Sequence, residues 1–226
     1  FLDFPIAPAL AWFTERELGA RAMDAMAEAG RFCRETKLDG IALDTRDAAF
    51  LFDANWEGYD TVEIPMAALA ERAREFARKM ARAFIRECPD AVILVLSGPI
   101  ATAGFLWFPF AQGIAEAPGA ADTVTVQIAA LDAAALPSLT AMPEALSRIA
   151  AILEAEMSPE TLAVWARTGG LAVSVTFPEE GIEPGLFRRR LAAAKAFSSR
   201  YAVVNAPQGG WWTIAPEELE QFSQPC

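Results

Sequence analysis

Residues 37–47 read KLDGIALDTRD, and the rest of the chain is organised around this stretch. It has the form of a helix end, a turn containing Gly40, a short apolar strand (Ile41, Ala42, Leu43) and an abrupt run of charge in Asp44, Arg46 and Asp47. Open and closed α/β folds place their chemistry at the carboxyl ends of buried strands, so the charged end of this strand marks the candidate site.

Working outward, Thr14-Glu15-Arg16-Glu17 has the spacing of a capping box and predicts a helix to about Thr36, with Leu18, Ala22, Met26 and Ala29 as its apolar stripe. Residues 1–13 are apolar and broken by Pro5 and Pro8, which suits a strand end and loop. After Asp47 comes a connection rich in aromatics and acids (Phe50, Phe52, Trp56 and Tyr59 with Asp53, Glu57 and Asp60). Long connections of this kind are often functional, and packing of a lid on its own domain is the competing reading. A helix over 65–87 follows, with Leu69, Ala73, Phe76, Met80 and Phe84 inward. Its run of Arg72, Arg74, Arg78, Lys79, Arg82 and Arg86 reads as a solvated outer face.

Residues 91–96, AVILVL, form the continuous apolar run of a strand buried on both faces of a parallel sheet. No charge interrupts residues 91–115, but Gly98, Pro99, Gly104 and Pro109 divide that segment into strand, loop and short helix, which disfavours a membrane span. Further strands are expected at 123–128, 171–177 and 201–205, and helices at 144–156, from 159 to Gly169-Gly170, at 184–197 and at 216–222. Strands alternating with helices, without hairpin turns, indicate parallel βα units in a single domain over 1–226. Two architectures fit: an incomplete (β/α)8 barrel or an open doubly wound sheet. The barrel is favoured, because the polar groups sit at strand ends and the chain has neither a GxGxxG nor a Walker lysine motif.

Composition removes several function classes. The chain of 226 residues carries 30 acidic and 19 basic side chains, a net charge of -11, which argues against a nucleic-acid surface. It contains no histidine, so Ser-His-Asp and Cys-His arrangements and imidazole metal sites are excluded. Cys33, Cys88 and Cys226 lack zinc or redox spacing. Cys33 and Cys88 each fall near a helix end, so a disulfide is conceivable if those helices are neighbours; two small buried hydrophobes is the favoured reading. No cofactor is implied, and the acids Asp44, Asp47, Asp53 and Asp60 lack the spacing of a calcium loop. The chain starts at Phe1 without a visible leader; a leader ahead of Phe1 would place the protein in an extracellular or periplasmic compartment.

The residues just past each strand are Asp44, Arg46 and Asp47, then Ser97, Gln127, Glu179 and Glu180, then Asn205, Gln208, Trp211 and Trp212. In a parallel barrel these ends converge. Carboxylates from two strands, amides for hydroxyls and flat rings for sugar faces match the needs of a carbohydrate site. Asp44 with Glu179 or Glu180 is the candidate catalytic pair, and Trp56, Trp211 and Trp212 are candidate sugar platforms beside Arg46, Asp47, Gln127, Asn205 and Gln208.

The run RFCRETKLDGIALDTRD (31–47), followed after the aromatic loop by LAERAREFARKMARAFIRECPDAVILVLSG (69–98), resembles a family of mostly uncharacterised bacterial glycoside-hydrolase-like proteins with a TIM-barrel fold. The resemblance covers about residues 20–116. It implies that the visible strands are the fourth to eighth of a barrel, that the first strands precede Phe1, and that the catalytic acids lie near Asp44 and at Glu179 or Glu180. The family pattern LD-x-E is broken here, since Arg46 stands where the Glu would be. An Arg within reach of a carboxylate keeps it ionised, which suits a nucleophile or a structural ion pair and is poor for a general acid. The sequence thus supports a carbohydrate-directed hydrolase, or a catalytically silent barrel that binds a glycan or serves as a subunit of a larger assembly with protein partners.

Overall fold

The computed structural model describes residues 2–5, 13, 15–45, 63–97, 106–117, 126–130, 142–168, 170–174, 184–197 and 203–205. In chain order they form β1 (Leu2–Pro5), α1 (Arg16–Thr36), β2 (Gly40–Asp44), α2 (Met66–Glu87), β3 (Val92–Ser97), α3 (Trp107–Ala115), β4 (Val126–Ala130), α4 (Met142–Glu156), α5 (Pro159–Thr168), β5 (Gly170–Ser174), α6 (Pro184–Phe197) and β6 (Val203–Asn205). The strands are parallel and neighbour one another in sequence order from β1 to β6. The tail at 216–222 lies outside the described residues.

The expected (β/α)8 barrel, with the visible strands as its fourth to eighth, is not what forms. Six short strands are present where five were expected, helix dominates, and among the described residues no pairing joins β6 back to β1. β2 and β3 pair from Gly40↔Val92 to Asp44↔Leu96, and β3 and β4 from Ile93↔Val126 to Ser97↔Ala130. Among the described residues β4 and β5 pair at Ala129↔Gly170 and Ala130↔Leu171. A barrel needs its last strand paired with its first, and here β1 and β6 stand at the two ends of the strand order.

Helix α1 begins at Arg16 with Glu15 as its cap residue and no side-chain cap hydrogen bond, while Thr14 of the expected capping box lies outside the described residues. Glu17 pairs with Arg21, one helical turn on, at 2.7 Å. Met26 and Ala29 of the expected stripe are buried together with Ala27, Gly30 and Cys33, while Leu18 and Ala22 are half-buried. The helix ends with Lys37 in the left-handed region (φ 57°), and the Leu38 amide donates to the Cys33 carbonyl at 3.0 Å. At α5 the Thr161 amide donates to Ser158 Oγ at 3.3 Å. The exposed Glu160 carboxylate there is held below its usual range, first by its own backbone amide and then by the Ser158 hydroxyl.

Helix α2 supplies the largest share of the core. Leu69, Ala73, Phe76, Met80 and Phe84 are buried as the periodicity predicts, and Ala77, Ala81 and Ile85 widen the stripe. They pack in one cluster with Ile41 and Leu43 of β2, Ile93 and Val95 of β3, and Phe110 and Ile114 of α3. The outer charge run is not uniformly solvated. Arg74 donates through two nitrogens to Glu116 at 2.9 and 2.6 Å, and Gln112 Nε2 donates to the same carboxylate at 2.9 Å. The fork holds the Arg74 guanidinium more firmly protonated than usual.

Two glycines set how close the helices come. A Cβ on Gly30 of α1 would stand 2.7 Å from the Phe84 carbonyl oxygen and 2.8 Å from Glu87 Cβ, and one on Gly113 of α3 would run into the Arg74 carbonyl. The apolar segment 91–115 is split between β3 and α3, and no helix among the described residues is long and apolar enough to cross a membrane.

Cys33 is buried and Cys88 half-buried, and both are free thiols, so the conceivable disulfide is not formed although α1 and α2 are neighbours. Cys33 Sγ lies 3.6 Å from the Gly40 carbonyl oxygen and donates to it. Burial pushes the Cys33 thiol up, and Cys88 adds to the effect. Burial likewise raises Cys88, with Arg34 opposing and Asp90 adding.

Two predictions follow from this packing. Gly113→Ala should force α3 away from α2 and destabilise the fold by about 1–3 kcal/mol, seen as a lower urea midpoint at unchanged slope; an unchanged midpoint would contradict the close contact. The thiols give a pH signature. An unfolded thiol loses its proton near pH 8.5 while the folded ones retain theirs, so the folded state binds more protons and stability falls as pH rises from about 8.5 through the raised folded values. Urea midpoints taken from pH 7.5 to 10 should show that fall, and Cys33→Ala should shrink it; a flat profile would be the contrary result.

Candidate functional site

The candidate site is built from the carboxyl edge of β2. Alternation along the strand separates its two faces: Ile41 and Leu43 belong to the cluster under α1–α3, whereas Ala42 and Asp44 do not. The same split occurs in β3, where Ile93 and Val95 join that cluster and Leu94 does not. Asp44 therefore stands on the sheet face turned away from α1–α3. It is 8% exposed, and Ala42 and Leu94 on that face are as fully covered, at 8% and 7%. A carboxylate so withdrawn from water needs polar partners in the fold, which sets it apart from the exposed acids of the helices.

Thr45 locks the strand end. Its amide and its hydroxyl both donate to the Leu96 carbonyl oxygen, at 2.9 and 2.8 Å, and the side chain is 3% exposed. Both bonds fasten β2 to β3 immediately after Asp44 and fix the backbone from which the carboxylate projects.

The register locates the other described candidates. Asp44 lies on a row running Pro5, Asp44, Leu96, Ala129, Gly170. Gln127 occupies the row of Ala42 and Leu94, two residues back from the Asp44 row, and Ser97 that of Ala130 and Leu171. Asn205 pairs with Ser174, four residues beyond Gly170. At about 3.3 Å per residue and 4.8 Å per strand, Asn205 is roughly 13 Å further along the strands and 19 Å across the sheet from Asp44. The sheet thus sets Gln127 two rows behind Asp44 at the parity of Leu94, puts Ser97 one row ahead at the parity of Ile93 and Val95 rather than of Asp44, and sets Asn205 apart. Arg46, Asp47, Trp56, Glu179, Glu180, Gln208, Trp211 and Trp212 lie outside the described residues, as do Asp53 and Asp60.

Two residues were missed by sequence reasoning. Thr45 reads as one more strand residue, and nothing local announces its double bond to β3. Trp107 opens α3, is 2% exposed, sits edge-on to Phe108 with ring centres 5.3 Å apart, and keeps its indole N–H buried without a hydrogen-bond partner. A tryptophan following a Gly/Pro loop was the available signal for it. Among the described residues no group of three or more Cys, Asp or Glu is placed to hold a metal ion.

A cavity of about 320 Å³ lined by Cys33, Cys88, Asp39 and Asp90 lies where α1 and α2 end and β2 and β3 begin, at the opposite edge of the sheet from Asp44. No protein-family model matches the chain, and no curated protein is similar to it, so the resemblance over residues 20–116 rests on the residues that carry it.

Proposed function

We propose that the chain binds a carbohydrate at the carboxyl edge of its parallel sheet, with the Asp44 carboxylate accepting hydrogen bonds from sugar hydroxyls. The observation that carries this reading is an acid only 8% exposed at the end of a parallel strand, on a backbone pinned by the paired Thr45 bonds to Leu96. A carboxylate held rigidly and partly dehydrated binds hydroxyl donors more strongly than one in bulk water, because little has to be reorganised when the ligand arrives. Gln127, two rows back at the position paired with Leu94, is an amide of the kind a sugar site uses.

Hydrolysis is the more demanding version of the same reading. It needs a second carboxyl group about 5–10 Å from Asp44, and Glu179 and Glu180 are the residues assigned to it. Arg46, standing where the resembled family carries an acid, favours the silent version, in which the site holds a glycan and cleaves nothing.

The test is glycan binding and aryl-glycoside hydrolysis by the wild type and Asp44→Asn, with circular dichroism confirming the fold. Loss of one charge-assisted hydrogen bond should weaken glycan binding at least about tenfold. Binding that survives Asp44→Asn unchanged, or no binding by the wild type to any glycan presented, would overturn the proposal. Turnover by the wild type that disappears in Asp44→Asn and in one of Glu179→Gln or Glu180→Gln would assign the hydrolase version. Thr45→Val keeps the side-chain shape but removes the hydroxyl bond, and should lower stability by about 1 kcal/mol.

A further inference from the structure

Away from the sheet edge, the start of α1 and the middle of α2 enclose a second cavity, of about 730 Å³. That is within the range of small-molecule sites, roughly 300–1,000 Å³. Its wall is aromatic and apolar: Phe13 and Phe76 meet edge to face with ring centres 5.3 Å apart, and Met23 and Ala20 stand beside them. Charge rings this wall. Arg16, Arg72, Arg78 and Lys79 contribute four cations against the three acids Glu15, Glu71 and Glu75.

The ion pairs do not consume this excess. Glu75 is shared between Arg78 and Lys79, and Glu71 reaches Arg74, which does not line the cavity, at 3.6 Å. Arg16 and Arg72 make no ion pair among the described residues. Arg78 engages Glu75 through its terminal nitrogen, while its Nε–H is buried and has no hydrogen-bond partner. A buried guanidinium N–H without an acceptor costs free energy until one arrives. The cavity is therefore locally positive on a chain whose net charge is -11, and a recess of one sign concentrates ligands of the other.

We propose that this cavity binds a small aromatic carboxylate: the ring packs against Phe13, Phe76 and Met23, and the carboxylate meets Arg72 and the free Nε–H of Arg78. An aromatic body matches the phenyl rings and the thioether that line the cavity, both of which favour flat π-systems. A carboxylate matches the planar donor fork of arginine better than a single point charge would. The site is independent of Asp44 and of any carbohydrate.

The test is calorimetric titration of the full chain with 2-naphthoate and with its neutral counterpart 2-naphthamide. Saturable one-to-one binding of naphthoate is expected, with naphthamide at least about tenfold weaker. Arg72→Gln and Arg78→Gln should each weaken naphthoate about tenfold, the size of one charge-assisted hydrogen bond, and Asp44→Asn should leave it unchanged. Equal affinity for the two compounds, absence of saturable binding, or naphthoate affinity unaffected in a folded Arg72→Gln protein would overturn the proposal. Arg72 lies on an exposed face, so that variant decides the matter if Arg78→Gln fails to fold.

Discussion

Helix α2 is gripped from both sides, and the rest of the molecule is arranged by that constraint. Gly30 of α1 and Gly113 of α3 each bring bare backbone against an α2 carbonyl, of Phe84 on one flank and Arg74 on the other. Strands in a sheet lie about 4.8 Å apart, whereas packed helices stand 8–10 Å apart, so helices that follow successive strands on one face are crowded against one another. Removing a side chain at each crossing narrows that mismatch. It lets three consecutive helices share the strip of core formed by Ile41, Leu43, Ile93 and Val95. The Arg74–Glu116 fork then ties the third helix to the second from the outside.

Much of this organisation is written in local patterns. The helical spacing from Leu69 to Phe84 and the run AVILVL required no tertiary information to read, and α6 has the expected ends at Pro184 and Phe197. What local pattern could not supply is pairing at a distance. Alternation of strands and helices says that a sheet is parallel but not whether its last strand meets its first, which no motif records. Arg74 looked solvated because its partner, Glu116, is 42 residues away. Of the expected strand at 123–128, residues 126–128 are found in β4, which runs on to Ala130 because TVTVQIAA is apolar or β-branched at nearly every position and nothing marks its end; 123–125 lie outside the described residues.

The candidate site was legible to a smaller degree. Asp44 could be singled out because charge follows an apolar strand abruptly there. Its depth could not, since 8% exposure arises from neighbours on β1 and β3 that sequence does not name. Thr45 had no signature because a hydroxyl bond to a neighbouring strand is invisible until that strand's register is known. The cavity between α1 and α2 was hidden for a related reason: its cations were read as one helix's outer face, and only the approach of Phe13 and Arg16 from another element turns that face into a recess.

The distribution of contacts has a mechanical side. Among the described residues, β5, β6 and α6 contact one another more than they contact α1–α3, which pack on one another and on β2 and β3. Opening within a native state follows such divisions, because elements that share contacts are released together. The amides of β5, β6 and α6 accordingly exchange as one group, and those of β2, β3 and the glycine-locked helices as another.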